Sequence, residues 1–241
     1  MRESAAVLKA VLESLAPLVQ PGVSTQELDR KAAALIRSQG AKPAFLGYRG
    51  YPATICASVN EEVVHGIPSP KKRLAEGDIV SIDVGTIVNG FYSDAARTWG
   101  VGRIDPASEK LVQVTRESFF EGVRHLRVGG RLGDVSCAVQ AHAEKHGFSV
   151  VRDYVGHGIG RAMHEYPQVP NFGSPGSGPR LEAGLAIAIE PMVAAGGWQV
   201  EVLEDGWTVV TCDRRRAAHY ENTVVLTPDG AEVLTESNVE V

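Results

Sequence analysis

Four acidic residues stand in stretches that otherwise read as strands. Asp83 lies in Ile79-Val80-Ser81-Ile82-Asp83-Val84-Gly85-Thr86-Ile87-Val88, where its side chain is out of place by propensity. Asn89-Gly90 follows as a two-residue hairpin turn, and Phe91 to Thr98 returns. That turn pairs Val88 with Phe91 and Gly85 with Asp94. Side chains alternate along a strand, so Asp83 and Asp94 share one face as diagonal neighbours, within reach of one bound cation. Two carboxylates placed so repel unless a metal, a shared proton or an arginine compensates. Arg97, or solvent at a sheet edge, is the purely structural way to do that. Glu190 ends a second apolar strand before Pro191, and Glu221 lies in a strand pattern over 217–226. Together the four acids read as one metal centre. Four carboxylates exceed what one divalent ion needs, so two ions are expected.

Histidines accompany the acids. His157 lies between glycines in Gly156-His157-Gly158-Ile159-Gly160, where the backbone can approach closely and take unusual torsions. His164 precedes Glu165, and His65 sits in Val63-Val64-His65-Gly66. His142 and His146 are four apart on an expected helix. A zinc-protease motif needs Glu directly after the first His, but Ala143 is there and Glu144 comes one position late. Both read as solvated helix residues, and His125 and His219 receive an equally unremarkable reading.

These groups need elements to carry them. Val7, Val11, Leu15 and Val19 recur at helical spacing before Pro21-Gly22. A second helix starts at Ser24 or Thr25 with Glu27, buries Leu28, Ala32, Leu35 and Ile36, and ends at Gly40. Residues 43–65 read as loop plus strand. Further helices are expected over about 108–124 and 132–146. Helices between two groups of strands indicate a mixed α/β (α+β) layout. Leu74-Ala75-Glu76-Gly77 leads into the strand ending at Asp83, and Leu181-Glu182-Ala183-Gly184 into the strand ending at Glu190. This similarity suggests a duplicated half-domain that aims a carboxylate from each half at a shared centre. No linker composition appears, and Gly173 to Pro179 reads as a loop. One domain over 1–241 is expected, with halves at about 1–107 and 108–241.

Composition narrows the function. Hydrophobic residues at 44% and charged residues at 22% suit a globular core. A formal net charge of −5 offers no general attraction for DNA or an anionic membrane. Three cysteines are too few for a disulfide framework and fit no metal knuckle. No targeting signal or membrane span is visible, so a cytoplasmic protein is expected.

Phe45-Leu46-Gly47-Tyr48-Arg49-Gly50-Tyr51-Pro52 followed by Asn60 to Pro68 resembles the type I methionine aminopeptidases. So do Asp83-Val84-Gly85, Tyr92-Ser93-Asp94, Gly156 to Gly160, His164-Glu165-Tyr166-Pro167, Ile189-Glu190-Pro191 and Tyr220-Glu221-Asn222-Thr223. The lack of a cysteine-rich extension matches the bacterial type. The resemblance implies the pita-bread fold, with pseudo-twofold halves and curved antiparallel strands covered by helices. It implies a dinuclear centre of Asp83, Asp94, His157, Glu190 and Glu221, bridged by Asp94 and Glu221. Mn, Fe, Co or Zn would suit those donors. The implied activity is metal-assisted removal of the N-terminal initiator methionine from nascent polypeptides when the second residue is small. Glu190 would also shuttle protons, His164 would donate to the oxyanion, and His65 would position the substrate amide or assist proton transfer. Phe45, Tyr48, Tyr51, Cys56 and Trp207, with His65 at the edge, would form the methionine pocket, and Met163 stands where the family often has an aromatic. A monomer is implied. Lys71-Lys72-Arg73 and Arg214-Arg215-Arg216 read as solvated turns, with a transient ribosome contact as the alternative. An X-Pro dipeptidase or aminopeptidase, and a non-catalytic binding module, are the competing readings.

Overall fold

A computed structural model describes residues 1–237. Leu8, Leu12 and Leu15 form the buried stripe of α1 (Arg2–Leu15). The second helix, α2 (Thr25–Ser38), begins where the sequence indicates. Ser24 Oγ accepts the Glu27 N–H, and the Glu27 carboxylate accepts the Ser24 N–H at 2.7 Å, closing a capping box. Both helices cover an antiparallel sheet of β1 (Ile55–Val59), β2 (Ile79–Val88) and β3 (Phe91–Gly100), with Lys42–Pro43 paired to the end of β2. Val80, Ile82 and Val84 of β2 point into the same core as Leu8, Leu12, Leu28 and Ile36. Alternation sends Asp83 to the opposite face, away from the helices. The hairpin register is the expected one: Val88 pairs with Phe91 and Gly85 with Asp94.

The third helix, α3 (Pro106–Arg124), starts two residues before the expected Ser108. Asp105 caps it, accepting the Ala107 and Ser108 N–H groups at 3.0 Å each, and Pro106 occupies the first turn, where no N–H is needed. α4 (Leu132–Lys145) packs beside it. The strands that follow are β4 (Gly156–Gly158), β5 (Glu165–Val169), β6 (Ala186–Ile189), β7 (Met192–Ala194), β8 (Ala217–His219), β9 (Asn222–Thr227) and β10 (Gly230–Val233). A five-stranded antiparallel sheet runs in the order β10-β9-β6-β4-β5. β8, β7 and Ser149–Val150 form a separate three-stranded sheet, and Glu62–Val64 joins Val209–Thr211 and Val200–Val202 in another. Phe119, Leu132 and Val135 meet Ile187, Ile189, Val224 and Leu226 in the second main core.

Two details depart from the sequence reading. Glu221 lies in a break between β8 and β9, and Glu190 lies between β6 and β7. The chain crosses from one sheet to another at both points, and Pro191, lacking an N–H, cannot continue a ladder. The glycines flanking His157 have ordinary torsions. A Cβ on Gly156 would stand 2.3 Å from the Ala188 carbonyl oxygen, and one on Gly158 would stand 2.3 Å from the Tyr166 carbonyl oxygen. Close strand approach alone requires those glycines.

The two groups of strands meet where β3 lies against residues 219–223. Glu221 and Ala96 exchange backbone hydrogen bonds at 3.0 and 3.3 Å. Thr223 Oγ1 accepts the Asp94 N–H and donates to the Asp94 carbonyl, both at 2.9 Å. The basic runs are less free than solvated turns would be. Lys72 pairs with Glu62 and Arg214 with Glu201, each at 2.5 Å, and Arg216 pairs with Asp105 at 2.8 Å. No helix among the described residues is long and apolar enough to cross a membrane.

Candidate metal centre and substrate pocket

The β2–β3 hairpin presents Asp83 and Asp94, and the two sheet-crossing breaks supply Glu190 and Glu221. All four carboxylates face one cavity of about 180 Å³. Burial raises each carboxyl above its ordinary range, and the neighbouring acids raise Asp94, Glu190 and Glu221 further. Asp83 is pushed up to about 7, mainly by burial. Asp83 Oδ1, Asp94 Oδ1 and Glu221 Oε1 are buried without a hydrogen-bond partner. Such a cluster is expensive unless cations compensate.

Arg97 does not compensate. Its guanidinium leaves β3 on the face opposite Asp94. It donates to the Ala96 and Glu221 carbonyls at 2.8 and 2.7 Å, and to Asn222 Oδ1 and the Thr235 carbonyl at 2.8 and 3.0 Å. Its plane stacks on Tyr220, with Cζ 4.3 Å from the ring centre. The arginine therefore serves backbone and packing, and the orphaned carboxylate oxygens suit divalent cations instead.

His157 is prepared as a nitrogen donor. Its Nδ1–H donates to the Gly158 carbonyl at 2.9 Å, which turns Nε2 towards Asp94 and Glu190 at 3.8 and 3.7 Å. Burial lowers its pKa to about 4, so the ring is neutral at pH 7 and its lone pair is free for a metal. Asp94, His157 and Glu221 offer donor atoms within 4.8 Å of one another.

The apolar end of the cavity is formed by Phe45, Tyr48, Tyr51, Cys56, Met163 and Trp207. Phe45 lies on the bare backbone of Gly85, where a Cβ would come within 2.6 Å of its ring. Tyr51 donates to the Ile55 and Gly66 carbonyls at 3.0 and 3.1 Å and meets Trp207 edge-on at 5.0 Å. Tyr48 stacks on His164, and its hydroxyl lies 2.8 Å from His164 Nδ1. His65 closes the other side against Tyr154 and Trp207. It holds a left-handed φ of 60°, a strained conformation for a residue with a side chain. Burial, aided by His164, lowers its pKa to about 4.

One residue of the centre escaped the sequence reading. His219 is buried, with Nε2 at 3.8 Å from both Glu190 and Glu221. Its place in the alternating pattern with Glu221, two residues on, was the available signal. His142 and His146 are half-buried, their rings tilted towards each other with centres 4.5 Å apart, and His142 pairs with Glu117 at 2.9 Å. The solvated reading of that pair is therefore corrected too.

The signature of metallopeptidase family M24 matches residues 1–228. The chain is 54% identical over 235 residues to a methionine aminopeptidase of Clostridium perfringens, covering 98% of this chain and 94% of that protein. The crystal structure of methionine aminopeptidase from Thermotoga maritima matches with a TM-score of 0.97 at 47% identity, over 98% of this chain and 95% of that one. Prolidase from Pyrococcus furiosus shares the fold alone, with a TM-score of 0.79 at 22% identity over 99% of this chain and 63% of its own. The architecture is thus the pita-bread fold, and the chain belongs to the methionine aminopeptidases of metallopeptidase family M24.

Proposed function

We propose that the chain hydrolyses the N-terminal methionine from nascent polypeptides whose second residue is small. Its centre would be a pair of divalent ions held by Asp83, Asp94, His157, Glu190 and Glu221. The observation that carries this reading is the cluster of four acids around one partly apolar cavity, three of them with buried, orphaned oxygens. The chemistry that such ions supply is a water acidified towards neutrality and a polarised scissile carbonyl.

The chain's own groups divide the remaining work. Glu190, whose carboxyl is raised by burial and by Asp94, accepts the proton of the attacking water and passes it to the leaving amine. With the Tyr48 hydroxyl donating to His164 Nδ1, the His164 proton sits on Nε2 and is donated to the developing oxyanion. Burial and the nearby Arg49 charge lower the His164 pKa, favouring that neutral form. His65 positions the substrate amide. The wall of Phe45, Tyr48, Tyr51, Cys56 and Trp207 takes an unbranched thioether by apolar contact, and the acids at its end receive the free amino group.

The same proposal has one catalytic domain of two halves, working as a monomer in the cytoplasm on Mn, Fe, Co or Zn. All three cysteines are free. A transient ribosome contact would use the basic charge that Glu62, Glu201 and Asp105 leave unpaired. The deciding experiment strips the protein with chelator, restores Mn, Co or Fe, and measures free methionine from Met-Ala-Ser and from proline-containing controls. Metal-dependent release from Met-Ala-Ser is expected. Its absence would sink the proposal, and release confined to the proline substrates would favour an X-Pro peptidase.

A further inference from the structure

His219 is the one imidazole at the centre without a role in the proposed reaction. Its side chain is 2% exposed, and Nε2 has no hydrogen-bond partner. A buried polar atom left unpaired is rare and calls for a ligand. The ring is not free to swing away. The His219 N–H donates to Thr98 Oγ1 at 2.9 Å, that hydroxyl donates back to the His219 carbonyl at 2.8 Å, and the residue pairs in register with Met192.

The donors divide into two groups. Asp94, His157 and Glu221 form one, and Asp83, His219 and Glu221 the other, with donor atoms within 4.8 Å of one another in each. Glu221 belongs to both. We infer that His219 is a metal ligand, completing with Asp83 and Glu221 a second cation position that mirrors the one at His157. The two imidazoles then stand one at each cation position, alongside the four carboxylates, with Glu221 common to both groups. This rests on the dinuclear reading above and adds a sixth protein donor to it. A nitrogen ligand at this position favours Fe, Co or Zn over harder, oxygen-seeking ions.

The test loads chelator-stripped protein with two equivalents of Co²⁺ and counts the imidazole N–H proton signals shifted by the paramagnetic ions. Two are expected in the wild type, and one in His219→Gln. By calorimetry, one of the two Co²⁺ dissociation constants should rise at least about tenfold in His219→Gln. A wild-type spectrum with a single shifted N–H that only His157→Gln removes would overturn the inference. So would unchanged Co²⁺ affinities in a folded His219→Gln protein. The wild-type count decides even if the variant fails to fold. Wild-type protein that binds no Co²⁺ would instead sink the dinuclear reading itself.

A separate cluster carries a second proposal. On the outer side of α3 and α4, Glu117, His142 and His146 present donor atoms within 4.8 Å of one another. Two of the donors are held from behind. Gln113 donates to Glu117 Oε1 at 2.8 Å, which leaves Oε2 facing His142 Nε2 at 2.9 Å. His146 Nδ1–H donates to the His142 carbonyl at 2.8 Å, which leaves its Nε2 free. We propose that these three residues bind one Zn²⁺ as a staple between the helices. Equilibrium dialysis against Zn²⁺ should find one ion fewer per chain in His146→Ala and Glu117→Gln than in the wild type. Hydrolysis of Met-Ala-Ser should be unchanged in both variants. Equal zinc content in wild type and variants would overturn the proposal.

Discussion

Replacing Asp83 by Asn should stabilise the metal-free protein, by an amount that grows with pH. Asp83 is half-buried on β2 with its Oδ1 shut off from solvent, and its pKa is about 7 where an ordinary aspartate has 3.8. Between those values the unfolded chain has released the proton and the folded chain still holds it. Stability therefore falls as pH rises across that window, at about 1.36 kcal/mol per pH unit. Asn keeps the shape and never ionises, so it escapes the loss. The variant should exceed the wild type by roughly 2 kcal/mol at pH 5 and by roughly 4 kcal/mol at pH 8. Urea unfolding in the presence of chelator at the two pH values measures this directly. Comparing two chains that differ at one position removes the opposite trend from the buried histidines, which disfavour folding as pH falls. Divalent metal should reverse the order, because the variant has lost a ligand. A difference that does not change with pH, or a less stable variant at pH 8 without metal, would refute the picture of a compressed carboxylate cluster.

Other expectations follow from the same geometry. Glu190→Ala should abolish methionine release and reduce retained metal; a full-rate variant would remove Glu190 from the proton pathway. His164→Ala should lower kcat about 10²-fold or more with metal content intact, and a loss of metal instead would make His164 a ligand. Gly85→Ala would place a Cβ 2.6 Å from the Phe45 ring and 2.8 Å from Ala44 Cβ. Displacing that wall should reduce kcat/KM on Met-Ala-Ser about tenfold or more, and unchanged kinetics would show that Phe45 does not shape the pocket.

Local signals carried much of the fold. Ser24 with Glu27 marks a capping box because both partners lie within one turn. Asn89-Gly90 sets the hairpin register, and with it the shared face of Asp83 and Asp94, because side chains alternate strictly along paired strands. The helix starting at Pro106 was less legible, since Asp105 caps it from outside the apolar pattern. Phe45, Tyr48, Tyr51, Cys56 and Trp207 have no periodicity that separates a pocket wall from core; only resemblance drew them together.

The sequence by itself determined which groups are chemically unusual: acids among β-branched residues, and a histidine between glycines too crowded to carry side chains. Tertiary structure decided what compensates those acids. Arg97, three residues from Asp94, points to the opposite face and bonds backbone carbonyls. His219, unremarkable in sequence, is carried into the centre where Thr98 ties β3 to β8. The reason is physical. Alternation and turn type act over a few residues, whereas the electrostatic environment of a carboxylate such as Asp83 is set by side chains from the other end of the chain, His219 and Glu221 among them.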